Sequence, residues 1–144
     1  MRHSVSVTTL YAAGCRYIVL FVMFKLASLL TVGLGGALGS MLRYGVTVLF
    51  SAMGWSGNLA VMLVNALGSF AIGYLGGAVK DSSLLLLLSV GLCGGFTTFS
   101  TFSMQGVKML QEGRIAALSL YVTGTVLVCL LMAWIGLRFA AHVK

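Results

Sequence analysis

Residues 91–103 mix three phenylalanines with five hydroxyl-bearing side chains inside an otherwise apolar run. Phe96, Phe99 and Phe102 recur at every third position, so on a helix their rings share roughly one face. The edge of an aromatic ring is electropositive, and hydroxyl groups donate hydrogen bonds. Such a set is suited to hold a small anion without a fixed positive charge, which would bind the anion too tightly for conduction. The alternative is that the rings pack in a core or face lipid. The hydroxyl residues are Thr97, Thr98, Ser100, Thr101 and Ser103.

The same segment contains a predicted helix break. Gly94 and Gly95 shortly precede Thr97 and Thr98, and both adjacent glycines and β-branched residues weaken a helix. The sequence has no proline, so the break is assigned to Gly94 and Gly95. An unwound turn in a membrane needs protein or a water-filled cavity around it, and it presents carbonyl groups to cations. The alternative is an intact helix whose hydroxyl groups bond to its own carbonyls.

Other spans offer polar groups to an anion pathway. The Asn65 amide provides two donors, although an asparagine in a membrane more often bonds to another helix. Arg43 can supply positive potential at a pore vestibule, or its side chain can extend to the membrane surface. Tyr121, Thr125 and Cys129 follow at four-residue intervals, which places them on one mildly polar helix stripe.

Several classes of protein are excluded for lack of residues. Asp81 and Glu112 are the only acidic residues, and both lie in polar breaks between apolar runs. No carboxylate is left in a span for acid–base catalysis or a proton relay. His3 and His142 lie at opposite termini, and the three cysteines lack metal-ligand spacing. We therefore expect no enzyme and no catalytic residue. The nine Lys and Arg residues are scattered, so no nucleic acid partner is expected.

The composition indicates which elements hold these residues. Of the 144 residues, 60% are hydrophobic and 8% are charged, whereas soluble domains have about 45–50% and about 25%. The mean hydropathy is +1.08, which predicts an all-α integral membrane protein in a lipid bilayer. A spanning helix needs about 20 apolar residues. The breaks between the apolar windows are short, so successive helices run antiparallel. The four predicted spans are residues 26–50, 59–79, 84–107 and 115–137.

Residues 1–22 are predicted to be an amino-terminal extension outside the functional core, which comprises residues 23–144. Met23 directly precedes the first span. The apolar patch before it is too short for a signal peptide and lacks a convincing cleavage site. A short interfacial helix is the alternative for this segment.

Small residues repeat at helical spacing on two spans. Such stripes let helix backbones approach closely in lipid, so they are assigned to packing. Four short helices hardly enclose a polar path alone, which predicts an oligomer. Basic residues divide four against two or three between the two membrane faces. This weak bias permits insertion in both orientations as well as one fixed topology. The stripes are Thr31, Gly35 and Gly39, and Ser69, Gly73 and Gly77.

Three motifs occur in order on the first three spans. Residues 35–44 read GGALGSMLRY, residues 64–70 read VNALGSF and residues 94–102 read GGFTTFSTF. With these motifs the chain resembles the CrcB/Fluc fluoride channel family from about residue 26 to residue 138. The third motif is the specific one.

The resemblance implies an antiparallel, dual-topology homodimer of four-helix subunits with two fluoride pores. It also implies a structural sodium ion at the dimer centre, held by carbonyls of the broken third helix. On the matching positions these belong to Gly94 and Thr97. The arginine of the first motif matches Arg43, at the vestibule. The expected fluoride pore residues are Asn65, Phe99, Phe102, Ser103, Tyr121 and Thr125.

Three positions depart from the pattern of the family. Cys129 stands where serine often continues the track on the fourth helix, and Val61 stands where threonine is common. Gln105 replaces a frequent acidic residue, which removes a charge at one mouth of the pore. Each change can alter the rate or the affinity for the anion.

The expected function is a passive, fluoride-selective channel in the cell inner membrane. It lets cytoplasmic fluoride leave down its electrochemical gradient and so protects the cell from fluoride toxicity. One alternative is a small proton-coupled drug exporter, which needs a carboxylate in the membrane. The other is a non-transporting membrane scaffold, which leaves the cluster at residues 94–103 without a purpose.

Overall fold

A computed structural model describes the backbone of residues 7–143 and the side chains of residues 22, 23 and 25–143. The predicted extension, residues 1–22, therefore lies almost entirely outside the described side chains, and residues 1–6 also lie outside the described backbone. The chain divides into two units, Met1–Leu30 and Thr31–Lys144. The residues of the candidate site all belong to the second unit.

Every regular element between residues 7 and 143 is helical, which confirms the predicted all-α class. Four helical spans are long and apolar enough to cross a membrane, namely Lys25–Ala52, Gly57–Ala78, Ser82–Gln111 and Ile115–His142. The third of these consists of several successive elements. The helices are α1 (Val7–Ala52), α2 (Gly57–Ala78), α3 (Ser82–Leu85), a π-helical stretch (Leu86–Cys93), α4 (Gly94–Phe96), α5 (Phe99–Gln111) and α6 (Ile115–His142).

Both acidic side chains are engaged at helix ends. The Asp81 carboxylate accepts a hydrogen bond from the Leu84 backbone N–H at 2.7 Å and so caps α3. The Glu112 carboxylate pairs with Arg114 at 3.0 Å in the exposed turn between α5 and α6. Gly113 in that turn has a φ of +71°, which favours glycine. The carboxylates therefore shape the ends of the spans.

The glycine stripes are packing surfaces, as predicted. A methyl group on Gly73 of α2 would meet the backbone carbonyl of Ala133 in α6. The contact is equally close from the other helix, since a methyl group on Gly136 of α6 would meet the backbone carbonyl of Phe70 in α2. The first stripe packs against the π-helical stretch, where a methyl group on Gly91 would lie 2.9 Å from the Gly35 Cα. Close backbone contact in lipid depends on such small residues.

The regular helix is interrupted at Thr97 and Thr98. Thr97 has φ −74° and ψ 156°, and Thr98 has φ −147° and ψ 109°, both extended conformations. The prediction that the break lies at Gly94 and Gly95 is therefore wrong in position, since both glycines are helical in α4. Packing overrides their low helix propensity, because the Gly95 backbone lies against the Gly36 backbone and a side chain would not fit.

Candidate functional site

Asn65 of α2 binds the backbone of the interruption with both ends of its amide. Its Oδ1 accepts a hydrogen bond from the Thr98 N–H at 2.7 Å, and its Nδ2 donates to the Thr98 carbonyl at 3.1 Å. The backbone is extended here, so no helix carbonyl accepts a hydrogen bond from the Thr98 N–H. The Asn65 amide oxygen is the acceptor instead. The amide has one further N–H that these two bonds do not use.

Thr98 is also the residue that starts α5. Its backbone is extended, and its hydroxyl oxygen accepts a hydrogen bond from the Thr101 N–H at 3.3 Å. The Thr98 hydroxyl in turn donates to the Thr101 hydroxyl at 2.9 Å. A threonine in this position is a favourable helix N-cap. The same residue therefore ends the interruption and begins the next helix.

Arg43 lies against the short helix before the interruption. Its Nε donates to the Gly95 carbonyl at 3.1 Å, and the Ser40 hydroxyl donates to the same oxygen at 3.4 Å. Arg43 also borders a first cavity of about 280 Å³ between α1, α2 and α5. Its guanidinium therefore contributes both a hydrogen bond to the backbone and positive charge beside a cavity. The cavity is lined by Ser40, Arg43, Tyr44, Thr47, Gly57, Val61, Val64, Thr98, Thr101 and Gln105.

The interruption frees the two carbonyl groups that the family resemblance assigns to sodium. In a continuous helix the Thr98 N–H would bond to the Gly94 carbonyl, but it donates to Asn65. The Thr101 N–H would likewise bond to the Thr97 carbonyl, but it donates to the Thr98 hydroxyl. Within residues 7–143 the carbonyls of Gly94 and Thr97 thus lose their regular helix donors.

The two phenylalanines that are expected in the pore form a row of rings with a tyrosine from α6. The ring centroids of Phe99 and Phe102 are 5.5 Å apart, and those of Phe102 and Tyr121 are 5.2 Å apart. Phe102 is 8% exposed, whereas Phe99 is 77% exposed. Phe96 lies before the interruption in α4 and not in this row. The expected common face therefore holds for Phe99 and Phe102 only.

Four of the expected pore residues meet at one cavity. This second cavity has a volume of about 320 Å³ and lies between α2, the interruption, α5 and α6. Thr125 in its wall is 4% exposed, and its hydroxyl has no hydrogen-bond partner among the residues that the structure describes. The cavity is lined by Asn65, Ser69, Ile72, Thr97, Phe99, Phe102, Thr125, Val126, Cys129 and Leu130.

Two expected pore residues lie apart from the second cavity. The Ser103 hydroxyl donates to the Phe99 carbonyl of its own helix at 2.9 Å, and the residue is exposed. The Tyr121 hydroxyl donates to Gln105 Oε1 at 2.6 Å, and its ring reaches the row only through Phe102. Tyr121 therefore contacts Gln105, which lines the first cavity, and Phe102, which lines the second.

Two residues of the site were not expected there from the sequence. Ser69 was placed in a packing stripe, yet it lines the second cavity. Gln105 was noted only as a lost charge, yet its amide binds Tyr121. For Ser69 the helical spacing from Asn65 was a usable signal, because residues four apart share a face.

The chain is similar in sequence to a known protein family and to several of its members. Residues 30–137 match the family described as CrcB-like protein, Camphor Resistance (CrcB). A protein of Methylobacterium sp. (strain 4-46) named fluoride-specific ion channel FluC is 45% identical over 102 residues, covering 67% of this chain and 82% of the relative.

Two further relatives carry the same name. A protein of Thermus thermophilus is 43% identical over 115 residues, covering 76% of this chain and 91% of the relative. That of Chlorobium phaeobacteroides is 35% identical over 123 residues, covering 82% and 95%. The match to the family reaches into all four apolar spans and includes every residue of the two cavities, so the chain belongs to the CrcB family.

Proposed function

We propose that this chain is a passive, fluoride-selective channel that exports cytoplasmic fluoride across the cell inner membrane. The observation that carries the proposal is the second cavity, which gathers Asn65, Phe99, Phe102 and Thr125 from three different spans. The chain belongs to a family whose members include proteins named fluoride-specific ion channels. A channel breaks no covalent bond, so no residue is assigned a catalytic role.

The cavity offers several weak donors in place of water. Fluoride is small and strongly hydrated, so a pore must replace many hydrogen bonds at once. Such replacements are the remaining N–H of Asn65, the Thr125 hydroxyl, which has no partner among the described residues, and the electropositive edges of Phe99 and Phe102. None of them carries a formal charge, so the anion is not trapped. A narrow path with hydrogen-bond donors favours fluoride over the larger chloride.

An antiparallel homodimer is part of the proposal. Phe99 is 77% exposed in one subunit, and the neighbouring Ser100, Thr101 and Ser103 are exposed as well. Polar side chains in a membrane face protein or water in preference to lipid. A second copy of this chain over that face of α5 would cover the hydroxyls and complete the wall around Phe99. The nearly balanced basic residues on the two membrane faces are compatible with subunits of opposite orientation.

A structural sodium ion at the dimer centre is also proposed. The carbonyls of Gly94 and Thr97 fit this group, because both have lost their regular helix donors and carbonyl oxygens suit a hard cation. The described residues bring no three His, Cys, Asp or Glu side chains together, so backbone oxygens are the ligands available at this place. When bound, sodium supplies positive charge that stabilises the interruption. Asn65 and Arg43 hold the backbone on either side in position.

The direction of transport follows from the chemistry of fluoride. Hydrogen fluoride crosses the membrane from an acidic medium as a neutral molecule and dissociates in the cytoplasm. The anion is then trapped there unless a pathway exists. A passive channel releases it, because the membrane potential and the gradient both drive the anion outward. No proton-coupled carboxylate is needed, in agreement with the positions of Asp81 and Glu112 at helix ends.

The test is fluoride efflux from liposomes that contain the purified protein, followed with a fluoride electrode. Rapid release on addition of valinomycin, with little chloride release under the same conditions, is the expected result. Valinomycin dependence shows that the flux carries charge. No fluoride release from a protein that elutes as a stable dimer would overturn the proposal, and equal chloride release would overturn its selectivity.

A further inference from the structure

Cys129 lies in the wall of the second cavity, one helical turn beyond Thr125 on α6. Its side chain is partly exposed, whereas Cys93 is 1% exposed in the packed interior. Neither cysteine is in a disulfide. Among the thiols whose side chains the structure describes, Cys129 is therefore the one that a solute in the cavity can reach.

The hydroxyl of Thr125 indicates that this part of the cavity holds a polar occupant. It is buried, it borders the same cavity, and it has no partner among the described side chains and backbone groups. A buried polar group without a hydrogen bond is costly, so a water molecule or an ion in the cavity is the expected partner. A wet cavity beside Cys129 gives the thiol access to dissolved ions and a medium that takes up its proton.

We infer that Cys129 is a binding site for a soft monovalent metal ion inside the anion pathway, and that occupation of this site stops fluoride flux. This inference rests on the proposed channel function. Thiolate sulfur prefers soft cations over hard ones. Binding of Ag⁺ forms one S–Ag bond, and the thiol proton passes to water, so nothing is oxidised or reduced. Thr125, four residues earlier on the same helix face, lines the same cavity.

Binding would stop the anion by occupying its path. The metal ion fills part of a cavity of about 320 Å³ that Asn65, Phe99 and Phe102 share. A serine at this position would bind the soft ion far more weakly, because a hydroxyl is a hard ligand.

The experiment measures fluoride efflux with and without silver nitrate in chloride-free nitrate buffer, since silver chloride would precipitate. Each protein is compared with its own silver-free rate. The proteins are the unmodified chain, C129S, and the C15S/C93S variant, in which Cys129 is the only thiol. We expect silver to lower the flux about tenfold or more in the unmodified chain and in C15S/C93S, and to have little effect on C129S. Equal inhibition of C129S, or no inhibition of C15S/C93S, would overturn the inference.

A second readout separates this inference from the channel function. Intact-mass spectrometry counts the thiols that a small maleimide modifies in the liposome-reconstituted protein, with and without prior silver. Silver should protect Cys129 of C15S/C93S from the maleimide, whether or not the protein conducts. Absence of fluoride flux with protection intact would overturn the channel proposal alone. Full maleimide modification in the presence of silver would overturn the metal site alone.

Discussion

Asn65 and Thr98 are joined by a pair of hydrogen bonds, in which one amide side chain receives the Thr98 N–H at 2.7 Å and donates to the Thr98 carbonyl at 3.1 Å. The asparagine was expected in the pore, with a bond to another helix as the alternative. In the structure Asn65 forms hydrogen bonds to Thr98 of another span, and it also lines the second cavity. The two roles are compatible because the amide nitrogen carries two protons.

The first prediction concerns this pair. Asn65→Asp keeps the acceptor for the Thr98 N–H but replaces the donor to the Thr98 carbonyl with a carboxylate oxygen. We expect a loss of about 1–3 kcal/mol in unfolding free energy, because a hydrogen bond is lost and two acceptor oxygens then face each other. Flux should also fall strongly, since the negative charge repels fluoride. Thermal unfolding in detergent and liposome efflux measure the two effects, and Asn65→Asp with both properties unchanged would contradict the assignment.

The second prediction concerns the ring row. Phe99 is 77% exposed in the subunit, so Phe99→Ile should remove most of the fluoride flux while the subunit still folds. Met104→Ile is the matched control, because Met104 is exposed on the same helix and lines neither cavity. Liposome efflux and size-exclusion chromatography check the result. Flux that survives in Phe99→Ile at the level of the control would exclude the ring edges from the pathway.

The third prediction separates the charge of Arg43 from its hydrogen bond. Arg43→Lys keeps the positive charge but removes the Nε–H that donates to the Gly95 carbonyl at 3.1 Å. We expect both Arg43→Lys and Arg43→Gln to lower the unfolding free energy by about 1.5–3 kcal/mol, the range for hydrogen bonds from charged groups. Only Arg43→Gln should additionally reduce fluoride flux at low salt. A lysine variant as stable as the unmodified protein would show that the charge alone matters.

The fourth prediction uses the contact between α2 and α6. Gly136→Ala places a methyl group on the backbone carbonyl of Phe70, and the two helices must separate to accommodate it. We expect a destabilisation of about 1–3 kcal/mol, as for other overpacked sites. Gly124→Ala on the same helix is the control, because a methyl group there meets nothing within 4 Å. Melting temperatures in detergent compare the pair, and equal values would disprove the close contact.

The fifth prediction concerns the proposed sodium ion. Replacement of sodium by N-methylglucamine in purification and reconstitution should lower both the melting temperature and the flux, and added sodium should restore them. Thr97→Ala should retain this sodium dependence, because the proposed ligand is the backbone carbonyl and not the hydroxyl. A protein that is equally stable and active without sodium would remove the ion from the proposal.

Local sequence signals accounted for the helices but only partly for the site. Hydropathy predicts the four spans because each is a long apolar window. Gly73 and Gly77 are four residues apart and share one face of a helix, so their spacing predicts close contact with another helix. The interruption was placed three residues too early, because glycine propensity pointed to Gly94 and Gly95. The position is decided by Asn65, which binds Thr98 from another helix.

The hydrogen bond between Tyr121 and Gln105 likewise joins side chains of two different helices. The two residues are 16 positions apart and lie on different helices. Neither residue type nor spacing specifies which polar groups will meet once α5 and α6 have packed. A single sequence indicates that such groups need partners in lipid, but the partner is determined by the packing of the helices.

The distance along the chain between Asn65 and Thr98 has a consequence for biogenesis. The two residues are 33 positions apart, so a ribosome delivers Asn65 to the membrane well before Thr98. The Thr98 N–H bonds to α2 instead of to its own span. An unpaired backbone group in lipid costs on the order of several kcal/mol. We expect α2 to remain beside the insertion machinery until the third span arrives. The two would then leave for the bilayer as a hairpin, not one helix at a time.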